Sequence, residues 1–127
     1  MERLLWVCAG GALGSGLRYV LSGWLTQAAG GRFPIGTLAV NVLGSLAIGL
    51  IMQLGLSTSA IPPLVRITLT TGVLGGFTTY STFSYETASY LGEGAFGLAG
   101  VNIVVTLVGC VGGCLLGLAA GKALVGV

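Results

Sequence analysis

Gly72-Val73-Leu74-Gly75-Gly76-Phe77-Thr78-Thr79-Tyr80-Ser81-Thr82-Phe83-Ser84-Tyr85-Glu86 is the stretch on which the reading of this chain turns. It lies within a long apolar run, yet it sets two adjacent glycines and then a cluster of threonines at what would be the middle of a membrane crossing. Each glycine weakens a helix by about 1 kcal/mol relative to alanine. A helix broken there frees carbonyl groups that hydrocarbon cannot satisfy. Such a break survives only where it is buried in protein, lines water or holds an ion. The stretch therefore predicts a membrane helix interrupted at mid-depth, and the interruption is the first place to look for function.

Outward from it, three further apolar runs approach the roughly 20 residues that cross a hydrocarbon core. The first covers Leu4 to Leu25 and the second Ile35 to Gly55, after the turn-like Gly30-Gly31-Arg32-Phe33-Pro34. The third, which holds the quoted stretch, starts after Pro62-Pro63 and reaches Leu91; the fourth runs from Phe96 to Val125, after Gly92-Glu93-Gly94. The connections leave no room for a soluble domain, so residues 1–127 read as one all-α domain of four transmembrane helices. Met1-Glu2-Arg3 and the apolar residues after it resemble a signal peptide, but three more spans of the same character favour a first membrane helix.

Composition agrees. Only 6% of residues are charged, 54% are hydrophobic and the mean hydropathy is +1.02, whereas a water-facing domain carries about 25% charged residues. A net charge of +2 from scattered basic residues forms no nucleic-acid patch. There is no histidine, no nucleophile beside a base and no phosphate loop, which excludes the common enzyme classes. Cys8, Cys110 and Cys114 sit inside apolar runs, where small weakly polar residues are expected rather than a disulfide framework. With the N-terminus in the cytoplasm, Arg3, Arg66 and Lys122 fall on that side and Arg32 on the other, joined by Arg18 if it snorkels outward. So small a bias fits insertion in both orientations, and an antiparallel homodimer, as well as it fits one weakly fixed orientation.

Three spans carry polar residues at helical spacing. Thr37, Asn41 and Ser45 share a face of the second; Asn102, Thr106, Cys110 and Cys114 share one of the fourth. On the third, Thr78, Thr79, Ser81, Thr82 and Ser84 are too dense for one face. Interhelical hydrogen bonding explains any one of these; three stripes in so short a chain point to a polar path. Gly109, Gly113, Gly117 and Gly121 form a small-residue ladder suited to close packing. Tyr80 and Phe83 are helical neighbours whose ring edges would favour an anion and whose faces a cation, so the residues alone leave the ion's sign open. Arg18 and Glu86 are intramembrane ionisable groups, open to pairing with each other or with polar neighbours. A structural role suits Arg18; Glu86, just beyond the aromatic pair, is open to gating or relay.

Taken in order, Gly10-Gly11-Ala12-Leu13-Gly14 with Arg18-Tyr19, Pro34-Ile35-Gly36-Thr37-Leu38 with Val40-Asn41 and Gly44, and Gly75-Gly76-Phe77-Thr78-Thr79-Tyr80-Ser81-Thr82-Phe83-Ser84 with Glu86 resemble the CrcB/Fluc family of microbial fluoride channels over nearly the whole chain. The resemblance implies an antiparallel, dual-topology homodimer in the cell's inner membrane, with two fluoride pathways that each use both subunits. It implies a passive channel that exports toxic fluoride, and a structural sodium ion on the dimer axis, held by the carbonyls of Gly75 and Thr78. By motif position Asn41 would face the ion, Tyr80 and Phe83 would form the aromatic wall, and Ser81, Thr82 and Ser84 the polar track, with Thr37, Glu86, Cys110 and Cys114 beside the pathway. Two departures stand out: Tyr80 occupies the position of a family phenylalanine, and Cys110 and Cys114 replace Ser or Thr with a weaker donor. The rival reading is a four-helix, proton-coupled exporter of the small multidrug-resistance type. Those proteins use a carboxylate within the first helix, where this chain has Arg18 and no acid beyond Glu2.

Overall fold

A computed structural model describes residues 1–31, 33–58 and 60–126. Arg32, one of the charges that bear on orientation, lies outside the described residues. Three helices are long and apolar enough to cross a membrane: α1 (Glu2–Ala28), α2 (Ile35–Ser57) and α6 (Phe96–Val125). Between α2 and α6 lies an interrupted helical segment. It begins as α3 (Pro63–Ile67), continues as π-helix over Thr68–Leu74 and returns to a single α-turn, α4 (Gly75–Phe77). It then breaks and resumes as α5 (Tyr80–Gly92). The chain is thus an all-helical, multi-pass membrane protein with a broken helix.

Glycine stops the helices where the sequence placed turns. Gly30 (φ 77°) and Gly94 (φ 75°) adopt the left-handed conformation. At the first, Gly31 N–H donates to Thr26 O (3.1 Å) and Gly30 N–H to Gln27 O (3.2 Å); at the second, Ala95 N–H donates to Tyr90 O (2.8 Å) and Gly94 N–H to Leu91 O (3.1 Å). Both are Schellman stops, which satisfy the last carbonyls of α1 and α5.

Inside the bundle, glycine serves packing instead. A Cβ on Gly14 would run into the Val73 carbonyl, and one on Gly76 into the Gly11 carbonyl and Ser15. Gly10 and Gly72 face each other in the same seam, their Cβ positions blocked by Thr68 O and Val7 O at 2.9 Å. The glycine-rich opening of the chain is therefore one half of a backbone-to-backbone contact with the π-helical run. On the other side, Gly113, Gly117 and Gly121 of α6 are buried against Val42, Leu46, Leu50 and Gln53 of α2, with Gly49 returning the contact against Cys114 O. The expected ladder is present, and close approach of small residues is the usual means of binding helices where no hydrophobic effect operates.

The break itself corrects one step of the sequence argument. Gly75 and Gly76 remain helical, and it is Thr78 (φ −87°, ψ 157°) and Thr79 (φ −150°, ψ 112°) that are extended. Gly76 is kept small by α1 rather than needed for bending. Nothing in the hydrophobic pattern predicts the π-helical run Thr68–Leu74. Its hydroxyls help to explain it: Thr68 Oγ1 donates to Leu64 O (2.8 Å) and Thr70 Oγ1 to Arg66 O (2.9 Å), competing with amides for the carbonyls of the ladder. Single π-turns within α-helices recur at functional sites.

Candidate functional site

Thr78 N–H keeps its helical bond to Leu74 O (2.9 Å), but once Thr79 leaves helical geometry its own N–H and C=O need new partners. Asn41, 7% exposed on α2, provides them. Its Oδ1 accepts from Thr79 N–H (2.7 Å) and its Nδ2 donates to Thr79 O (3.0 Å), so one side-chain amide clamps one backbone residue twice. Gly44, one turn further along α2, gives the broken segment room: a Cβ there would overlap Thr78 Cγ2. Thr79 then caps the helix that follows, its Oγ1 accepting from Thr82 N–H (3.2 Å). The same oxygen joins a hydroxyl cluster with Thr82 Oγ1 (2.9 Å) and Ser81 Oγ (3.3 Å).

These captures have an electrostatic consequence. The amide that would close an α-helical turn onto Gly75 O belongs to Thr79, and it is committed to Asn41. The amide four residues beyond Thr78 belongs to Thr82, and it is committed to Thr79 Oγ1. Gly75 and Thr78 thus lose those helical donors to their carbonyls, and both residues line one cavity of about 370 Å³ with Asn41, Ser45, Tyr80 and Cys110. Carbonyl oxygens suit a hard cation. Among the described residues there is no cluster of three or more His, Cys, Asp or Glu.

The aromatic pair sits at the edge of this cavity. Tyr80 and Phe83 have ring centroids 5.4 Å apart and planes tilted by 55°, close to the edge-to-face arrangement that aromatic pairs favour. Phe83 is buried (6% exposed), while Tyr80 is 75% exposed. Tyr80 lines both the first cavity and a second one, of about 310 Å³, that it shares with Phe83, Ser84, Thr87 and Leu107. Ser84 Oγ is turned back onto its own helix, donating to Tyr80 O (2.9 Å).

Glu86 and Arg18, which the sequence left free to pair, are engaged apart. Thr37 Oγ1 donates to Glu86 Oε1 (2.5 Å), whereas Glu86 Oε2 is buried with no hydrogen-bond partner among the described residues. Arg18 lines a third cavity, of about 330 Å³, together with Ser22, Thr37, Thr79 and Thr82. Thr37 and Thr79 therefore stand between the arginine's cavity and the acid and the clamp.

The structure brings together Asn41, Gly75, Thr78, Tyr80 and Cys110 at the first cavity. Phe83 and Ser84 join Tyr80 at the second, and Thr37 and Thr82 join Arg18 at the third. Ser81 reaches the group only through the Thr79 hydroxyl. Cys114 does not line these cavities; its backbone lies against Gly49 of α2. Two residues of the polar stripes, Thr79 and Asn102, contribute more than their spacing predicts. Thr79 is the hub of the break, and the signal for it was an N-cap threonine ahead of a helix. Asn102, 1% exposed, donates from Nδ2 to Thr87 Oγ1 (3.0 Å), which itself donates to Phe83 O (2.8 Å), so α6 steadies the turn that carries Phe83.

Residues 5–118 match the family model described as "CrcB-like protein, Camphor Resistance (CrcB)". The chain belongs to the CrcB family. Its relatives include the "Fluoride-specific ion channel FluC" of Anaeromyxobacter sp. (strain K), 51% identical over 110 residues, or 87% of each chain. The protein of the same name from Citrifermentans bemidjiense is 47% identical over 124 residues, 98% of this chain and 100% of its own. That of Geobacter sp. (strain M21) is 46% identical over the same share of each. The CrcB match runs from α1 into the last turns of α6, so it takes in the clamp, the break and the aromatic pair alike.

Proposed function

We propose that the chain is a passive fluoride channel rather than an enzyme, and that the break between α4 and α5 organises its pathway. The observation that carries this is the Asn41 clamp, which holds a mid-membrane break open without a charged side chain. Around it stand the hydroxyls of Ser45, Thr79 and Thr106, the thiol of Cys110 and the rings of Tyr80 and Phe83. Fluoride is small and strongly hydrated, so losing water is its main barrier. Neutral donors and ring edges replace water in steps without holding the ion as tightly as a ring of Lys or Arg would. The names of relatives 46–51% identical to this chain support the same ion. No feature favours the proton-coupled exporter.

The finer reading follows from what one chain leaves open. Two copies in antiparallel orientation, four crossings each, close the cavity at Tyr80 and give two pathways per dimer in the inner membrane. What supports it is the exposure of Tyr80 beside a buried polar clamp, since a lipid-facing wall would leave that cavity's polar groups against hydrocarbon. A sodium ion fits the residues present: the carbonyls of Gly75 and Thr78 would hold it. Bound there, it supplies a fixed positive charge near the pathway. Arg18 adds a more diffuse positive field from the third cavity. Glu86 is positioned through Thr37, and its second oxygen is buried without a hydrogen-bond partner among the described residues.

Phe83→Ile in liposomes tests the reading. Loss of the ring edge from the wall, worth about 0.5–1.5 kcal/mol, lowers fluoride flux about three- to tenfold while the dimer persists on size exclusion. Unchanged flux, or flux that follows an imposed proton gradient, contradicts a passive aromatic-walled channel.

A further inference from the structure

At the end of the molecule where α1 begins, α2 ends and α3 starts, a cavity of about 280 Å³ is lined by Arg3, Met52, Pro63, Arg66, Ile67 and Thr70. No carboxylate lines it, and two of the chain's five basic residues do. Arg66 is built in rather than loosely placed. Its Nη1 donates to Gly55 O in the last turns of α2 (2.5 Å). Gly55 is where only a hydrogen fits, because a Cβ would meet Arg66 Cδ at 2.7 Å. The stem is thus seated in a glycine notch, and one of five guanidinium N–H groups is used. Among the described residues Arg3 has no hydrogen-bond or charged partner. Two guanidinium groups at one cavity, one held and one free, match the charge and donor geometry of a phosphate group.

The setting identifies the source of that phosphate. Trp6, 51% exposed, stands one turn along α1 from Arg3, and Leu4 and Leu5 of α1 and Val65 of α3 are exposed as well. Tryptophan with arginine at the end of a membrane span marks the headgroup level. Basic pockets between transmembrane helices at that depth take anionic headgroups. We propose that this cavity is a binding site for the phosphodiester of an anionic phospholipid, with Arg66 as the fixed donor and Arg3 closing over it. Acyl chains then lie along the apolar face of Leu4, Leu5 and Val65. The site is remote from the break in function, although Thr70 lines both this cavity and the one at Asn41.

Native mass spectrometry of the purified protein tests it, with phosphatidylglycerol and phosphatidylcholine supplied in equal amounts. The expected result is preferential retention of phosphatidylglycerol, reduced about fivefold by Arg3→Gln and by Arg66→Gln. Lys122→Gln, which removes a charge from the same end without touching the cavity, leaves retention unchanged. Because Arg66→Gln also loses the Gly55 bond, Arg3→Gln carries the test if the other variant fails to fold. Equal retention of the two lipids, or an equal loss in Lys122→Gln, overturns the site. A separate arm adds inorganic phosphate alone in neutral detergent. A rise in melting midpoint matching that given by phosphatidylglycerol overturns the lipid assignment in favour of a free phosphate site.

Discussion

Replacing Asn41 with alanine removes the clamp and leaves its two partners, Thr79 N–H and Thr79 O, without acceptor and donor in a buried position. A hydrogen bond contributes about 1 kcal/mol net, but a buried group left unsatisfied costs about 1–3 kcal/mol. Membrane proteins sit at the lower end of that scale, near 0.6 kcal/mol for an average interhelical bond, because the unfolded chain in the bilayer also finds partners. Here two bonds vanish at once and both orphaned groups belong to a non-helical peptide, which cannot fall back on a helical ladder. The expected destabilisation is about 2–4 kcal/mol. Equilibrium unfolding in mixed micelles, titrated with a denaturing detergent and followed by far-ultraviolet circular dichroism, reads it directly. Ser45→Ala serves as the control: it alters a residue lining the same cavity but outside the clamp, and it shifts stability by less than about 0.5 kcal/mol. If Asn41→Ala unfolds within about 0.5 kcal/mol of the parent chain, the clamp does not hold the break and the account of the site is wrong.

Glycine positions give a second check, since Gly14→Ala would force a methyl into the Val73 backbone while Gly16 has open space around it. The same unfolding assay is expected to show a loss of about 1–3 kcal/mol at Gly14 and none at Gly16. Thr37→Val strips Glu86 of its donor and leaves both carboxyl oxygens without partners, at an expected cost of about 1–3 kcal/mol, whereas Thr37→Ser retains stability. Tyr80→Phe keeps the aromatic wall and is expected to keep fluoride flux within about threefold, measured by efflux from liposomes; a collapse of flux would assign the hydroxyl itself to the pathway. Exchanging sodium for a large organic cation is expected to lower the thermal midpoint of the parent protein, because a ligand that binds only the folded form stabilises it. An unchanged midpoint would argue against a cation at Gly75 and Thr78.

Much of this was written plainly in the chain. Four apolar runs, their glycine-bounded turns and the α2–α6 ladder follow from periodicity and helix-stop chemistry. The last helix has the bounds that its composition implied, Phe96–Val125. Legibility failed where two residue types compete for one carbonyl. Gly75-Gly76 looked like the breaking point because propensity was weighed without the neighbour, yet α1 presses on Gly76 and keeps the turn helical. The break moved to Thr78-Thr79, where Asn41, distant in sequence, offers both halves of a replacement bond. The π-helical run was hidden for a similar reason: hydroxyl-to-carbonyl bonds at Thr68 and Thr70 leave no period in the hydrophobic pattern. Polar spacing puts Thr37, Asn41 and Ser45 on one face of α2, yet Asn41 and Ser45 line the first cavity and Thr37 the third; nor could spacing separate Cys110, at the first cavity, from Cys114, whose backbone packs on Gly49. The third-helix hydroxyls are too dense for one face: Thr78, Thr79, Thr82 and Ser84 divide among three cavities, and Ser81 bonds only to the Thr79 hydroxyl.

The central claim is tested most directly by efflux from liposomes loaded with fluoride and holding the purified protein, read with a fluoride electrode and run beside chloride-loaded controls. The account predicts rapid loss of fluoride once a potassium ionophore balances the charge, little without it, and no comparable loss of chloride. Absence of fluoride efflux from demonstrably folded protein, or chloride leaving as fast, would contradict it.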